Sequence, residues 1–291
     1  MTIHDQNFTA NIDPHAFPVE MQDIKTAHDI YIPKGLGRAV VRTDTDEVLG
    51  IHGQRYELIP HDDVCNAVLD AVDLLGLGNG NVSANIDLSK NGARMRGEFV
   101  FDDLVVEPVE GDHVKFRIQF YNSYDGAWSV QIACDALRLW CLNGCTTADA
   151  VFRTWQKHTF ALNVSAYTKQ IADGLDTFWN NKQKWQSLSE KPCDAIDAGW
   201  LFRNTLTKVP AKTKAQQEEV VPYNKKQQEL LEAQWELYSD ELGKNMWATY
   251  NAATHWATHT QDYASPMDKT RERENLVAQM QRSSEWKLMA A

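Results

Sequence analysis

The sequence predicts an α+β protein: a mostly antiparallel sheet of hairpins and a meander packed on helices, followed by a helical C-terminal half. Three observations carry this. Residues 82–121 alternate apolar and polar side chains over three segments. A single apolar stripe at three- and four-residue steps precedes them. From Thr147 onward the period changes to that of helices, with tryptophans spread along it. Strands first and helices afterwards is the α+β order.

Residues 1–35 are polar, contain Pro14, Pro18 and Pro33, and show no period, so they read as an arm. Arg38–Arg42 and Val48–Ile51 flank the polar turn Thr43-Asp44-Thr45-Asp46 and form a hairpin. Arg55–Ile59 reads as a third short strand. Pro60 opens a helix whose stripe is Val64, Ala67, Val68, Ala71, Val72 and Leu75, closed by Gly76 and Gly78. Val82, Ala84, Ile86 and Leu88 alternate with polar residues. Ser89-Lys90-Asn91-Gly92 is a turn, because Asn and Gly accept positive φ. Met95, Gly97, Phe99 and Phe101 continue the apolar face, and Val114, Phe116, Ile118 and Phe120 complete a meander.

Asn122–Gly126 is a turn by composition, and 127–133 suits another strand. A helix is expected from Cys134 to the Asn143-Gly144 stop. Further helices are expected near 147–157, 164–187, 194–208, 224–258 and 267–287. An exposed loop is expected at 209–222, bracketed by Pro210 and Pro222. The expected organisation is an arm at 1–35, a sheet domain at 36–160 and a helical region at 161–291.

Composition narrows the function classes. Apolar residues make up 43% and charged residues 24%, so this is a globular chain, not a disordered one. No apolar run approaches the roughly 18 residues that span a bilayer, so no membrane partner is expected. The first residues lack a basic patch followed by an apolar stretch, so no signal peptide is expected. Five cysteines form no paired framework, which points to a reduced cytoplasmic setting. The net charge of −11 lies wholly in residues 1–130, with 10 basic and 21 acidic side chains. Residues 153–226 are locally basic, with 12 basic and 7 acidic side chains. A polyanion partner therefore requires cations gathered on one surface.

Motifs for common enzymes are missing. Gly76-Leu77-Gly78-Asn79-Gly80 follows a helix and lacks Lys-Ser/Thr, so it is a loop and not a phosphate cradle. Cys134, Cys141 and Cys145 are spaced seven and four apart, a core pattern and not a zinc knuckle. His255 and His259 share a helical face, as metal ligands do. But Trp256 stands where a zinc protease needs Glu, and no third ligand is evident. Acids abound for a two-metal nuclease, yet no pair stands out. No cofactor is expected, and a non-enzyme is the favoured reading.

The polar face of the meander carries the binding expectation. Arg94, Arg96, Lys115 and Arg117 occupy alternate positions opposite the apolar residues. Arg38 and Arg42 extend the set, and Tyr121 and Trp128 supply rings. Cations for phosphates and rings for bases are what single-stranded nucleic acid requires. The structural alternative is a solvated sheet face.

Asn122-Ser123-Tyr124-Asp125-Gly126, then Arg138-Leu139-Trp140-Cys141-Leu142-Asn143-Gly144, then Tyr250-Asn251-Ala252-Ala253-Thr254 with His259, resemble the motifs of an uncharacterised "phage/plasmid-like protein" family. The resemblance covers roughly 36–260. It implies a mobile-element origin, hence a host-cell cytoplasm, and brings no established activity. More distantly, the element order is similar to that of single-strand annealing recombinases, which work as oligomers. The resemblance leaves two roles for Asn122, Asp125, Gly126, Arg138, Asn143 and Gly144: a folding motif, with Asp125 pairing Arg138, or the lining of a site.

The expected function is then a phage-encoded protein that binds single-stranded DNA as a homo-oligomer in recombination or replication, without covalent chemistry. Strand annealing, with host or phage replication proteins as further partners, falls within it. Two alternatives stand beside it. One is an acidic module acting on a host factor through Asp102–Asp112. The other is a metal-dependent enzyme built on His255 and His259.

Overall fold

A computed structural model describes residues 8–10, 15–25, 37–138, 143–145, 152–156, 158, 163–207, 214–260 and 266–291. The fold class is as the sequence predicts: antiparallel sheets in the first half and helices in the second. Among the described residues the strands are β1 Phe8–Ala10, β2 Val19–Asp23, β3 Arg38–Arg42, β4 Glu47–His52, β5 Val82–Ser89, β6 Arg94–Val106, β7 Val114–Ser123, β8 Val130–Arg138, β9 Asn143–Cys145 and β10 Phe152–Gln156. Helix α1, His61–Leu74, falls between β4 and β5. After β10 come α2 Val164–Glu190, α3 Ala195–Thr205, α4 Lys214–Leu242, α5 Met246–His259, α6 Pro266–Arg282 and α7 Ser284–Ala290.

One sheet has the order β1-β5-β6-β7-β8-β10, with β9 also paired to β8. Strand β1 runs parallel to β5, whereas β6 is antiparallel to β5, and β9 and β10 are antiparallel to β8. A smaller sheet has the order β2-β3-β4. Packing divides the chain into two compact units, each built from three separate stretches. Residues 1–104, 116–134 and 152–176 form the first; 105–115, 135–151 and 177–291 form the second.

In the first unit, α1 buries Val64, Ala67, Val68, Ala71 and Val72 of the predicted stripe, while Leu75 is half-buried just past the helix end. Cys65 reaches Met95 of β6, so the helix covers the apolar sheet face. Phe99, Phe116, Ile118 and Phe120 are fully buried. Each such side chain contributes about 1.5–3 kcal/mol of transfer free energy. Gly97 makes room for this packing: a Cβ there would come 2.1 Å from the Phe120 ring. Gly76 ends α1 at φ +69°, the left-handed stop that the sequence predicts. The Ser89–Gly92 turn places Lys90, Asn91 and Gly92 at positive φ.

In the second unit, α5 is buried on all sides, with 11 of its 14 residues inaccessible. It packs against α4 and α6. Indole donors fix these helices. Trp235 Nε1 donates to Thr249 Oγ1 at 2.9 Å, and Trp256 Nε1 donates to Gln227 Oε1 at 2.7 Å. Trp247 Nε1 donates to Asp112 at 2.6 Å. Gly243 at φ +86° and the Asn245 cap separate α4 from α5.

Several elements differ from the sequence expectation. The described part of 134–144 is not helix: β8 runs on to Arg138, and Asn143 and Gly144 pair with Arg138 and Leu137; residues 139–142 of the expected helix lie outside the described residues. Residues 152–156 are β10, antiparallel to β8, not helix. Phe, Thr and Trp suit a strand, and a flanking ladder outweighs weak helical spacing. Arg55–Ile59 is not a strand. Its Tyr56 is stacked between His52 and His158 instead of entering a ladder. The expected loop at 209–222 is helix from Lys214, with Pro222 inside it; Ala215 to Glu219 are good helix formers. The expected single helix 224–258 is two. The arm contributes β2, which completes the small sheet beside β3.

Candidate nucleic-acid interface

The cations expected on the meander lie in the first unit, Lys115 excepted, and are engaged within the protein. Arg94 Nε donates to Asp125 Oδ2 at 2.6 Å, and its guanidinium lies 5.6 Å from the Trp128 ring centre. Arg96 and Arg117 converge on Glu98, at 3.9 and 3.3 Å. The Gln119 amide, oriented by its neighbours, accepts from Arg96 at 2.7 Å and from Arg117 at 3.1 Å, and donates to Tyr121 Oη. Arg117 is only 3% exposed. A guanidinium so buried demands a carboxylate partner, because an uncompensated buried charge costs several kcal/mol. Tyr121 and Trp128 are 5% and 7% exposed and meet edge to face. Their ring faces are spent on each other and on Arg94.

Arg42 lies at the end of β3. It is held by Asp44 at 2.7 and 2.9 Å and lies 4.1 Å over the Phe17 ring. Arg38 is half-buried at the start of β3, opposite His52. Lys115 is half-buried on the stretch of β7 that belongs to the second unit. Alternation therefore brings Arg94, Arg96 and Arg117 to one face with Tyr121 and Trp128, but as an ion-paired, shielded layer.

The motif residues build a turn. Asn122 Nδ2 donates to the Ile59 carbonyl at 2.9 Å and to His61 Nδ1 at 3.0 Å. Ser123 Oγ accepts from the Trp128 amide and donates to its carbonyl. Tyr124 is fully buried, and its Oη accepts the first helical N–H of α1, from His61, at 2.7 Å. Its carbonyl accepts from His52 Nε2 at 2.5 Å. Gly50 packs on that carbonyl so closely that a Cβ would lie 1.9 Å away. Asp125 also accepts from the Ala127 amide, and Gly126 takes φ +75°. Asp125 pairs with Arg94; the side chains of Arg138 and Asn143 lie outside the described residues, as does the expected pairing of Arg138 with Asp125. Residues 250–254 sit wholly buried in α5.

A cluster the sequence reading missed surrounds this turn. His61 is fully buried against the Tyr124 ring, 4.0 Å between centres, and Nε2 donates to the Gly92 carbonyl at 2.9 Å. Burial pushes its pKa down to about 3. His52, Tyr56 and His158 form a stacked column, at 3.6 and 4.9 Å. Burial also lowers the His158 pKa. Scattered single histidines gave no signal, because topology alone assembles them.

In the second unit, His255 and His259 stack at 4.5 Å on the last turn of α5. Burial pushes His255 down to about 4 and lowers His259. Among the described residues, no group of three or more His, Cys, Asp or Glu could hold a metal ion. Cys65, Cys134 and Cys193 are buried free thiols, in keeping with core roles. Burial pushes the Cys193 thiol up to about 11, far from a reactive thiolate. The acidic run is used internally: Asp112 accepts from Trp247, Asp103 from the Asn81 amide, and Glu107 from the Gly111 amide.

An open basic surface lies elsewhere in the second unit. A cleft of about 420 Å³ is lined by Lys184, Trp185, Ser187 and Leu188 of α2, Gln281 and Arg282 of α6, and Trp286 and Lys287 of α7 among others. Lys184, Arg282 and Lys287 are exposed. Lys182 and the 45%-exposed Trp179 lie on the exposed arc of the same helix. The adjacent pairs Lys184-Trp185, inside the basic stretch, and Trp286-Lys287, near the C-terminus, were the available sequence signal.

A mixed sheet with buried polar turns and a set of helices that carry an open cleft lined in part by exposed cations define an α+β protein. The chain belongs to the family described as Domain of unknown function (DUF932), which matches residues 48–284. No curated protein and no solved structure matches it. No helix among the described residues is long and apolar enough to cross a membrane.

Proposed function

We propose that the protein binds single-stranded nucleic acid without covalent chemistry, and that the contact surface is the cleft of the helical unit. The observation that carries this is the set of exposed cations Lys184, Arg282 and Lys287 lining an open cleft, with Lys182 and Trp179 exposed elsewhere on the surface of α2. Exposed cations attract phosphates, and an accessible indole offers a face to a base. Arg94, Arg96 and Arg117 are a poorer platform, since their side chains are largely buried. The motif resemblance suggests a mobile-element origin, and the more distant likeness in element order to single-strand annealing recombinases suggests recombination or replication as the setting, in which copies of the chain hold a strand for annealing.

The test is fluorescence anisotropy of a labelled oligonucleotide at low salt. Micromolar protein is expected to bind, with affinity falling as salt rises because counterions are released. Lys184→Glu with Lys287→Glu is expected to reduce binding at least 10-fold, and Trp179→Ala by about 5–100-fold, as loss of one stack implies. Arg42→Gln on the sheet unit is expected to change little. No anisotropy change at low salt refutes the function; binding that survives the cleft variants refutes the surface.

A further inference from the structure

We propose that the outward face of α3 pairs with the same face of a second copy of the chain, antiparallel and centred on Trp200. Helix α3 turns one side inward: Ala198, Leu201 and Phe202 are buried, and the Gly199 carbonyl accepts from Gln228 Nε2 of α4 at 2.9 Å. The other side carries Ile196 and Trp200, one helical turn apart, 81% and 43% exposed. Asp197 and Arg203, both exposed, flank them. The outward face of a helix is ordinarily polar. A tryptophan and an isoleucine side by side on it, rimmed by charge, have the anatomy of a contact core with a polar rim.

The spacing of the charges selects the partner. Asp197 and Arg203 each stand three residues from Trp200. When two such helices run antiparallel with Trp200 against Trp200, each Asp197 comes level with Arg203 of the other copy. Parallel pairing would set Asp197 level with Asp197 and Arg203 with Arg203, like charge against like. Among the described residues, neither side chain has an ion-pair partner within its own chain. The face is therefore complementary to itself under a two-fold axis, the commonest symmetry of soluble oligomers. Indole against indole supplies the apolar centre, and tryptophan is prominent among the residues that dominate binding energy. A single pair of 11-residue helices falls below the roughly 1,200 Å² of a standard interface, so the pairing is reversible. For its use the pairing rests on the nucleic-acid reading, since it joins two clefts in one particle. Its existence does not, and it is measured without oligonucleotide.

The experiment is analytical ultracentrifugation of the full chain from micromolar to submillimolar concentration. The mass is expected to rise from that of one chain towards that of two. Trp200→Ala, at an exposed position, is expected to weaken the association about 10-fold or more with an unchanged circular dichroism spectrum. Asp197→Lys or Arg203→Glu alone is expected to weaken it, because like charges then meet. Both changes in one chain exchange the two charges and are expected to recover it. A single-chain mass at every concentration overturns the pairing. Association undiminished in Trp200→Ala overturns the surface, and a double variant no stronger than either single one overturns the antiparallel register. Oligonucleotide anisotropy is read separately, so loss of pairing and loss of strand binding are told apart.

Discussion

Acidification tests the buried turn most directly, through His61. In the folded chain its Nδ1 accepts from Asn122 and its Nε2 donates to Gly92, so the neutral ring uses both nitrogens. A second proton would face the Asn122 amide donor head on, in a buried site. Burial accordingly pushes the pKa down to about 3, against an ordinary value of 6.5. Proton uptake sets the sign of the pH effect. Below 6.5 the unfolded chain takes up a proton that the folded chain refuses. The contribution is whole above 6.5 and is lost as pH falls, until the folded form titrates near 3. Each pH unit in that window is worth about 1.4 kcal/mol, so moving from pH 7 to pH 5 costs about 2 kcal/mol through this one residue. His158, His255 and His259 shift the same way, so the wild type alone does not isolate His61. The assay is urea unfolding followed by tryptophan fluorescence, for wild type and His61→Gln, at both pH values. The stability gap between them is expected to shrink by about 2 kcal/mol at pH 5. A gap that stays constant, or an imidazole proton resonance of His61 that titrates near 6.5 in the folded protein, refutes the reasoning.

Other substitutions probe separate contacts. Glu98→Gln removes the carboxylate that the buried Arg117 meets at 3.3 Å and is expected to destabilise by about 1–3 kcal/mol, read from the urea midpoint. Replacing Gly97 with Ala drives a methyl into the Phe120 ring, at a cost of about 1–3 kcal/mol. Combining it with Phe120→Leu is expected to restore part of that loss; no restoration refutes the packing argument. Trp247→Phe removes the donor that Asp112 accepts in the buried interior, and a loss of about 1–3 kcal/mol is expected in the same assay.

Periodicity made the central elements legible. The stripe of α1 and the strict alternation of β5, β6 and β7 each describe one buried face, and a one-residue slip would expose them. The failures share a cause. The described residues 134–138, 143–144 and 152–156 have spacing that fits either class, and their strand pairing depends on β8 gaining neighbours, which is tertiary information. Pro222 misled because a proline in a helix costs one hydrogen bond but does not forbid the helix when good formers precede it. Alternation placed Arg94, Arg96 and Arg117 on a common face. The same alternation puts Glu98 on that face, but does not show the contacts by which it meets two of the three. The cleft was harder still. Its cations come from α2, α6 and α7, about a hundred residues apart, and only folding collects them.

The interleaving of the two units constrains how the molecule can be made or divided. The polypeptide crosses from one unit to the other five times. No single cut yields either unit intact, so a gene fragment ending anywhere in the middle encodes two incomplete cores instead of one whole domain. On the ribosome, the second unit waits for α5, α6 and α7 to emerge, and the stretches it draws from residues 105–115 and 135–151 must be kept from wrong partners until then. Insertions and fusions should therefore target loop tips, where they leave every crossing in place.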